Sequence, residues 1–251
     1  MKTASLFTAA ALLLSGLAHA AEIAAEIKVL STQATEEAYK ELVPQFEKAS
    51  GHKVTTIFTG TLDLQKRIAA GEKYDLIIMA GPAIDDYIKA GTVVAGSRVD
   101  LAKSGVAAAV PKGGQKFDIS TVDALKKTLL TAKSIGYSTG PSGVYVLALF
   151  QKLGVSAEVT PKLKQTPTGV FVGTIIANRE VEIGFQQVSE LSLFAGVDYL
   201  GPLPAAVQQI TLFSAGIQAD AKEAEAAKAL VQFITAPAAA SAYTKRGLEP
   251  C

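Results

Sequence analysis

The chain has 251 residues, with 24 lysines and arginines against 23 aspartates and glutamates, a formal net charge of +1. That balance, spread without basic or acidic blocks, argues against nucleic acid or anionic membranes as partners. With two histidines and a single cysteine, Cys251 at the C-terminus, the chain excludes an internal disulfide and a multi-histidine or thiolate metal cluster, so neither a metal nor a cofactor is expected.

The first residues read as an export signal. Lys2 supplies a positive start, Ala9 to Leu17 is apolar, and Ala18-His19-Ala20 fits an A-x-A cleavage site before Ala21. Residues 1–20 are therefore expected to be a signal peptide cleaved after Ala20, leaving a protein of the periplasm. Neither this apolar run nor any later one is long enough to span a bilayer.

In the mature chain, Glu26 to Ser31 reads as a strand, Ser31 to Thr35 as a polar turn, and Glu36 to Ser50 as a helix closed by Gly51. Ala38, Tyr39, Leu42, Val43 and Phe46 fall at helical spacing. Val54 to Phe58 is a second strand, and Thr59-Gly60-Thr61 is a small hydroxyl-bearing turn. A helix follows from Leu62 to Ala70 with Gly71 as its stop, then a buried strand, Asp75 to Met79. This strand, turn, helix and strand place free N–H groups at a helix N-terminus, a setting that suits an anion. Thr61 is either a ligand for that anion or a plain N-cap, and Asp63 fits the first turn as a dipole partner.

Ala83 to Ala90 reads as a short helix, and the run Lys103 to Pro111 contains an apolar strand. Ser120 and Asp123 are spaced like a capping box opening a helix that reaches Ala132. Lys133 to Tyr137 is a strand that leads through Ser138-Thr139-Gly140-Pro141-Ser142-Gly143 into a helix from Val144 to Leu153, with Val144, Leu147, Ala148 and Phe150 facing a core. Thr168 to Asn178 is helical or mixed, Val181 to Phe185 a strand, and Asp198 to Leu203 a strand with its turn. Gln208 to Ile217 reads as a strand, Asp220 to Thr235 as an amphipathic helix, and Ala236 to Gly247 as a final helix.

Strands alternate with helices throughout, so the class is α/β with parallel sheets. The long strands Gly105–Val110 and Thr211–Ile217 are natural crossovers between two lobes. Residues 21–106 with 212–251 then form lobe I and residues 107–211 lobe II, with a binding cleft between them. An enzyme using Ser142 as nucleophile would need a base nearby, and no spacing in the chain supplies one. The chain is therefore not expected to be an enzyme.

The segments SGHKV, GTLDLQKRIAAGEKYDLIIMAGPA, SGVAAAVPKG, YSTGPSGVYVLALFQKLG, EIGFQQVSE and QQITLFSAGI resemble the periplasmic molybdate-binding proteins and their relatives among ABC-transporter solute-binding proteins. The resemblance runs from about Glu26 to Pro250. It implies a type II periplasmic-binding-protein fold: two lobes with mixed sheets flanked by helices, joined by a hinge of two crossover strands. It also implies a monomer that closes on a small anion and delivers it to a membrane permease. In that family neutral groups hold the oxyanion. Carried onto this sequence, the contacts fall on Thr32 or Thr35 beside an Ala34 without a hydroxyl, on Thr61, on Ser142 and Gly143, on Gly169 and Val170, and on Gln187 in the place of a tyrosine. Gln187 brings an acceptor as well as a donor. With Gln186, Ser189 and Glu190 it suits a ligand bearing hydroxyl or carboxyl groups. Two solutes stay open, a molybdate-like oxyanion and a small organic acid.

Overall fold

The computed structural model describes residues 24–251, so the signal-peptide reading lies outside the described residues. The chain runs β1 (Glu26–Thr32), a 3-10 turn (Gln33–Thr35), α1 (Glu36–Ser50), β2 (Lys53–Thr59), α2 (Thr61–Ala69), β3 (Leu76–Ala80) and α3 (Gly81–Lys89). Next come β4 (Val99–Pro111), α4 (Val122–Thr131), β5 (Ile135–Tyr137), α5 (Pro141–Lys152), α6 (Ser156–Val159), β6 (Leu163–Gln165), α7 (Val172–Ala177), β7 (Ile183–Gln187) and α8 (Val188–Leu191). The chain closes with β8 (Val197–Pro202), β9 (Ile210–Ile217), α9 (Ala224–Thr235), α10 (Ala240–Thr244) and β10 (Glu249–Pro250).

The strands follow one path, β2-β1-β3-β9-β4-β7-β5-β6, with β8 and β10 also paired to β4. Pairing is parallel within β2-β1-β3 and within β7-β5-β6. It is antiparallel wherever β4 or β9 takes part. The sheet is thus mixed, not parallel as the alternation of elements alone suggests. β4 carries the chain out of one end of the sheet and β9 brings it back, so the two must run in opposite directions.

Strand β4 is the spine. Its first half, Val99 to Gly105, pairs with β9, and its second half, Val106 to Pro111, pairs with β7 and β8. Successive side chains of a strand point to opposite faces, and the second half of β4 uses this to serve two cores. Val106, Ala108 and Val110 join Leu125, Leu129, Leu149, Phe150 and Phe185, while Ala107 and Ala109 join Val172, Ile175, Ile176 and Leu191. At the other end, α1, α9 and α10 cover one sheet face with Leu42, Phe46, Leu230, Ile234 and Tyr243. Leu64 and Ile68 of α2 cover the opposite face with Ile77 and Met79.

Three local expectations are corrected. The cap of α4 is Thr121, whose Oγ1 accepts from the Ala124 N–H at 3.1 Å, while the Ser120 N–H donates to Asp118. Helix α5 starts at Pro141, and its buried face carries Val146, Leu149 and Phe150, leaving Val144 69% exposed. The orientation is set at the first turn, where Ser142 and Gly143 face inward against Ser138. Helix α9 starts at Ala224, four residues later than the sequence suggests. The preceding backbone is taken by Asp75, whose Oδ1 accepts from the Lys222 N–H at 2.8 Å and the Glu223 N–H at 2.9 Å, and whose Oδ2 accepts from the Lys28 N–H at 2.8 Å.

Asp75 is only 4% exposed, so removing its carboxylate leaves three backbone donors without a partner. Asp75→Ala is expected to cost about 2–4 kcal/mol of stability, and Asp75→Asn less, as read from urea unfolding of the mature protein. Equal stability of all three proteins would show that water satisfies these donors.

Candidate functional site

The carboxyl ends of β1, β2, β5 and β7 open on one narrow cleft, with about 20 Å³ of free space. Thr32 and Gln33 enter it from the end of β1, Thr59, Gly60 and Thr61 from the turn between β2 and α2. Facing them are Ser138 to Ser142 from the turn between β5 and α5, with Val170, Gln186, Gln187 and Glu190. The lining holds no lysine, arginine or histidine.

Two helix starts supply the positive potential instead. In α2 the first intrahelical bond is Leu64 N–H to Gly60 O, and in α5 it is Val144 N–H to Gly140 O. The N–H groups of Leu62 and Asp63, and of Ser142 and Gly143, precede those bonds. The N-cap residues are Gly60 and Gly140, which have no side chain to offer, and no side-chain cap is formed at either end. Two long helices thus point uncapped donors and the positive ends of their dipoles at one space, an arrangement that holds an anion without a cationic side chain.

Two hydroxyls stand at these starts. Thr61 is the first residue of α2 and not its cap. Ser142 is 1% exposed, its Oγ lying 3.2 Å from Ser138 Oγ, which in turn accepts from the Gly140 N–H at 3.2 Å. Gly143 packs on the turn itself: a Cβ there would come within 1.7 Å of the Ser138 carbonyl oxygen. Only glycine allows α5 to start so close to the end of β5.

The other predicted residues divide. Thr32 and Val170 line the cleft. Thr35 turns inward, its Oγ1 lying 3.3 Å from Ser31 Oγ and donating to the Thr32 carbonyl at 3.4 Å, and it does not line the cleft. Gly169 sits at the rim, its carbonyl accepting from Gln33 Nε2 at 2.9 Å. Gln187 reaches the cleft, but its amide is engaged elsewhere. In the orientation that satisfies both its ends, the nitrogen donates to Ser104 O at 3.1 Å and Gly105 O at 3.0 Å, and the oxygen accepts from Thr211 Oγ1 at 3.1 Å. Those three residues belong to β4 and β9, so Gln187 ties the end of β7 to the crossover strands.

Gly60 lies outside the predicted contacts, whereas the sequence already groups Glu190 with Gln186, Gln187 and Ser189. Gly60 meets the opposite wall, where a Cβ would come within 2.7 Å of Thr139 Oγ1 and 3.2 Å of Thr168 Cγ2. Glu190 is the carboxyl of the cleft. Its Oε1 accepts from Gln186 Nε2 at 2.9 Å and its Oε2 from the Gln187 N–H at 3.3 Å. Gln186 Oε1 accepts from the Val172 N–H at 2.7 Å, fixing the amide so that its nitrogen faces Glu190. Burial pushes the Glu190 carboxyl up to about 8, against the opposing pull of these two hydrogen bonds, with the charge of Glu36 adding to the rise. A carboxyl so raised keeps its proton to a higher pH than an ordinary glutamate, and in that form offers an O–H. The sequence places Glu190 beside Gln186 and Gln187, but burial, which sets its protonation, is not written there.

Residues 27–249 match the model of a family described as bacterial extracellular solute-binding proteins. The chain is 35% identical over 237 residues to an aconitate isomerase of Pseudomonas sp., covering 92% of this chain and 90% of that one. It is 29% identical over 233 residues to a molybdate-binding protein of Azotobacter vinelandii, covering 90% of each. The solved structure of the periplasmic molybdate-binding protein of Azotobacter vinelandii superposes with a TM-score of 0.71 at 18% identity, covering 88% of this chain and 98% of that one. The fold is that of the periplasmic binding proteins, as the resemblance implied. The chain belongs to the bacterial extracellular solute-binding protein family.

Proposed function

We propose that this protein binds a small organic acid as its anion in the cleft, closing residues 21–106 with 212–251 against residues 107–211, and delivers it to an ABC-transporter permease from the periplasm. The observation that carries this reading is the pairing of uncapped helix starts with the Glu190 carboxyl, bonded to Gln186 and the Gln187 N–H, in a cleft whose lining holds no cation. A carboxylate group takes the N–H groups of α2 and α5 and the hydroxyls of Thr61 and Ser142. Glu190 and Gln186 add a donor and acceptor pair, which suits a ligand carrying its own hydroxyl or carboxyl better than a bare tetrahedral oxyanion, which needs donors alone. The ligand favours the closed form because donors from both walls meet on it.

A second reading shares the binding step and adds a reaction. A carboxyl whose proton is lost near pH 8 is suited to general acid–base work, and one relative is named an aconitate isomerase. On a bound unsaturated acid, ionised Glu190 would take a proton from the CH₂ beside the double bond. The electron pair would shift along the three carbons to the opposite end, and the carboxyl would return the proton there. The carboxylate oxygens of the intermediate would lie on the helix-start N–H groups, as in an oxyanion hole.

Calorimetric titration of the mature protein with molybdate, tungstate, sulfate, citrate, trans-aconitate and succinate separates the solutes. Binding of carboxylates alone is expected; binding of molybdate and tungstate alone would return the cleft to the oxyanion reading. A second check is the pH profile of that affinity. An anion next to Glu190 raises its proton affinity further, so binding should be level below about pH 8 and weaken by up to about tenfold per unit above it. Glu190→Gln, neutral at every pH, should flatten the profile. The same linkage acts on folding. The group binds its proton more tightly folded than unfolded, so its contribution to stability falls as pH rises from about 4.5 to about 8 and is level above. Incubation of trans-aconitate with the protein in D₂O, followed by proton NMR, distinguishes receptor from isomerase. Turnover rising with pH through about 8 and abolished in Glu190→Gln, with binding kept, marks an isomerase. Binding without deuterium uptake or conversion marks a receptor.

A further inference from the structure

Beside the cleft lies a second, roomier cavity of about 270 Å³. The two share Gln33 and Glu190, which line both, so a ligand held at the helix starts has this cavity as its neighbour. One wall is apolar and aromatic, with the rings of Phe171 and Phe194 5.9 Å apart and Leu193 at the rim. The other wall carries Ser189 and Arg246.

Each of these two polar residues has one unsatisfied atom. Ser189 Oγ and Arg246 Nε are buried atoms without a hydrogen-bond partner. The arginine ion pairs among the described residues are those of Arg67 and Arg98, and Arg246 takes part in none. A buried polar group without a partner is costly, and a guanidinium fork matches a carboxylate in shape and charge. Glu37 also faces the cavity but is paired with the Lys40 ammonium at 3.3 Å. Gly247, next to Arg246, lies close to the segment that bears Ser189 and Glu190: a Cβ there would come within 2.8 Å of Val188 Cγ1 and 3.2 Å of Ser192 Oγ.

Resting on the reading of the cleft as an organic-acid site, we propose that this side cavity is a second binding subsite, in which Arg246 and Ser189 take a further carboxylate of the same ligand. The ligand class is then a di- or tricarboxylate on a short carbon stem. Its first carboxylate lies at the starts of α2 and α5, its stem passes Gln33 and Glu190, and its apolar side rests on Phe171, Leu193 and Phe194. The cleft alone recognises an acid; the side cavity selects among acids by the number of their carboxylates.

The test is calorimetric titration of the mature wild-type protein and two variants with propane-1,2,3-tricarboxylate and with propionate, alongside circular dichroism and melting curves. Wild type should bind the tricarboxylate more tightly than propionate. Arg246→Ala should weaken the tricarboxylate at least about tenfold while leaving propionate unchanged, the loss expected when a charged hydrogen-bonding partner is removed. Leu193→Asp alters a residue that is 64% exposed, so the fold is not at risk, and its negative charge at the rim should weaken the tricarboxylate alone. If wild type binds both ligands and neither variant changes their ratio, the side cavity is no subsite and the cleft reading stands. If wild type binds neither ligand, the cleft reading fails and takes this proposal with it.

Discussion

The antiparallel pairing of β4 with β9 is the constraint on which the rest of the molecule depends. These two strands carry the chain between the two ends of the sheet, and β4 is hydrogen-bonded continuously from one end to the other. Everything that meets in the cleft is brought there by strands placed on either side of this pair. Gln187 makes the dependence direct, because its amide bonds Ser104, Gly105 and Thr211 at the point where β4 and β9 leave each other. A residue at the edge of the binding space is thereby bonded to the strands about which any closing motion must turn.

The electrostatics of the cleft follow from what its residues lack. Glycine at both helix caps leaves the N–H groups of α2 and α5 free, and the absence of cationic side chains from the lining leaves those groups as the main source of positive potential. Burial raises the Glu190 carboxyl to about 8, against the pull of its hydrogen bonds from Gln186 and the Gln187 N–H. The same carboxyl faces a second space that contains Arg246.

Much of this was legible in the sequence because it rests on local patterns. Glycines after helices, β-branched runs and hydroxyl-bearing turns located the strands, helices and the three turns that form the cleft. Thr61 and Ser142 were placed at the cleft because a helix start after a strand is a local event. The parts that were not legible depend on distant contacts. The inward turn of Thr35 depends on Ser31, the late start of α9 on Asp75, and the exposure of Val144 on how the first turn of α5 packs on Ser138. Gln187 could be placed near the cleft, but its partners lie in β4 and β9, and no spacing in the sequence pairs them. The mixed direction of the sheet came with the family resemblance and not with the pattern of elements, since alternation of strands and helices does not say which strands return without a helix between them.

At the mouth of the cleft the two walls meet through small groups: Gly60 against Thr139 and Thr168, and one hydrogen bond from Gln33 to Gly169. The bond is exposed, and an exposed neutral hydrogen bond contributes little net free energy. The clasp is therefore weak in itself. An empty cleft would open and shut with little barrier from these contacts, and the lifetime of the shut form would be governed by the solute it encloses. If the walls part and close as proposed, such a latch would couple residence time to recognition, a poorly matched molecule escaping quickly and a well-matched one keeping its own door closed.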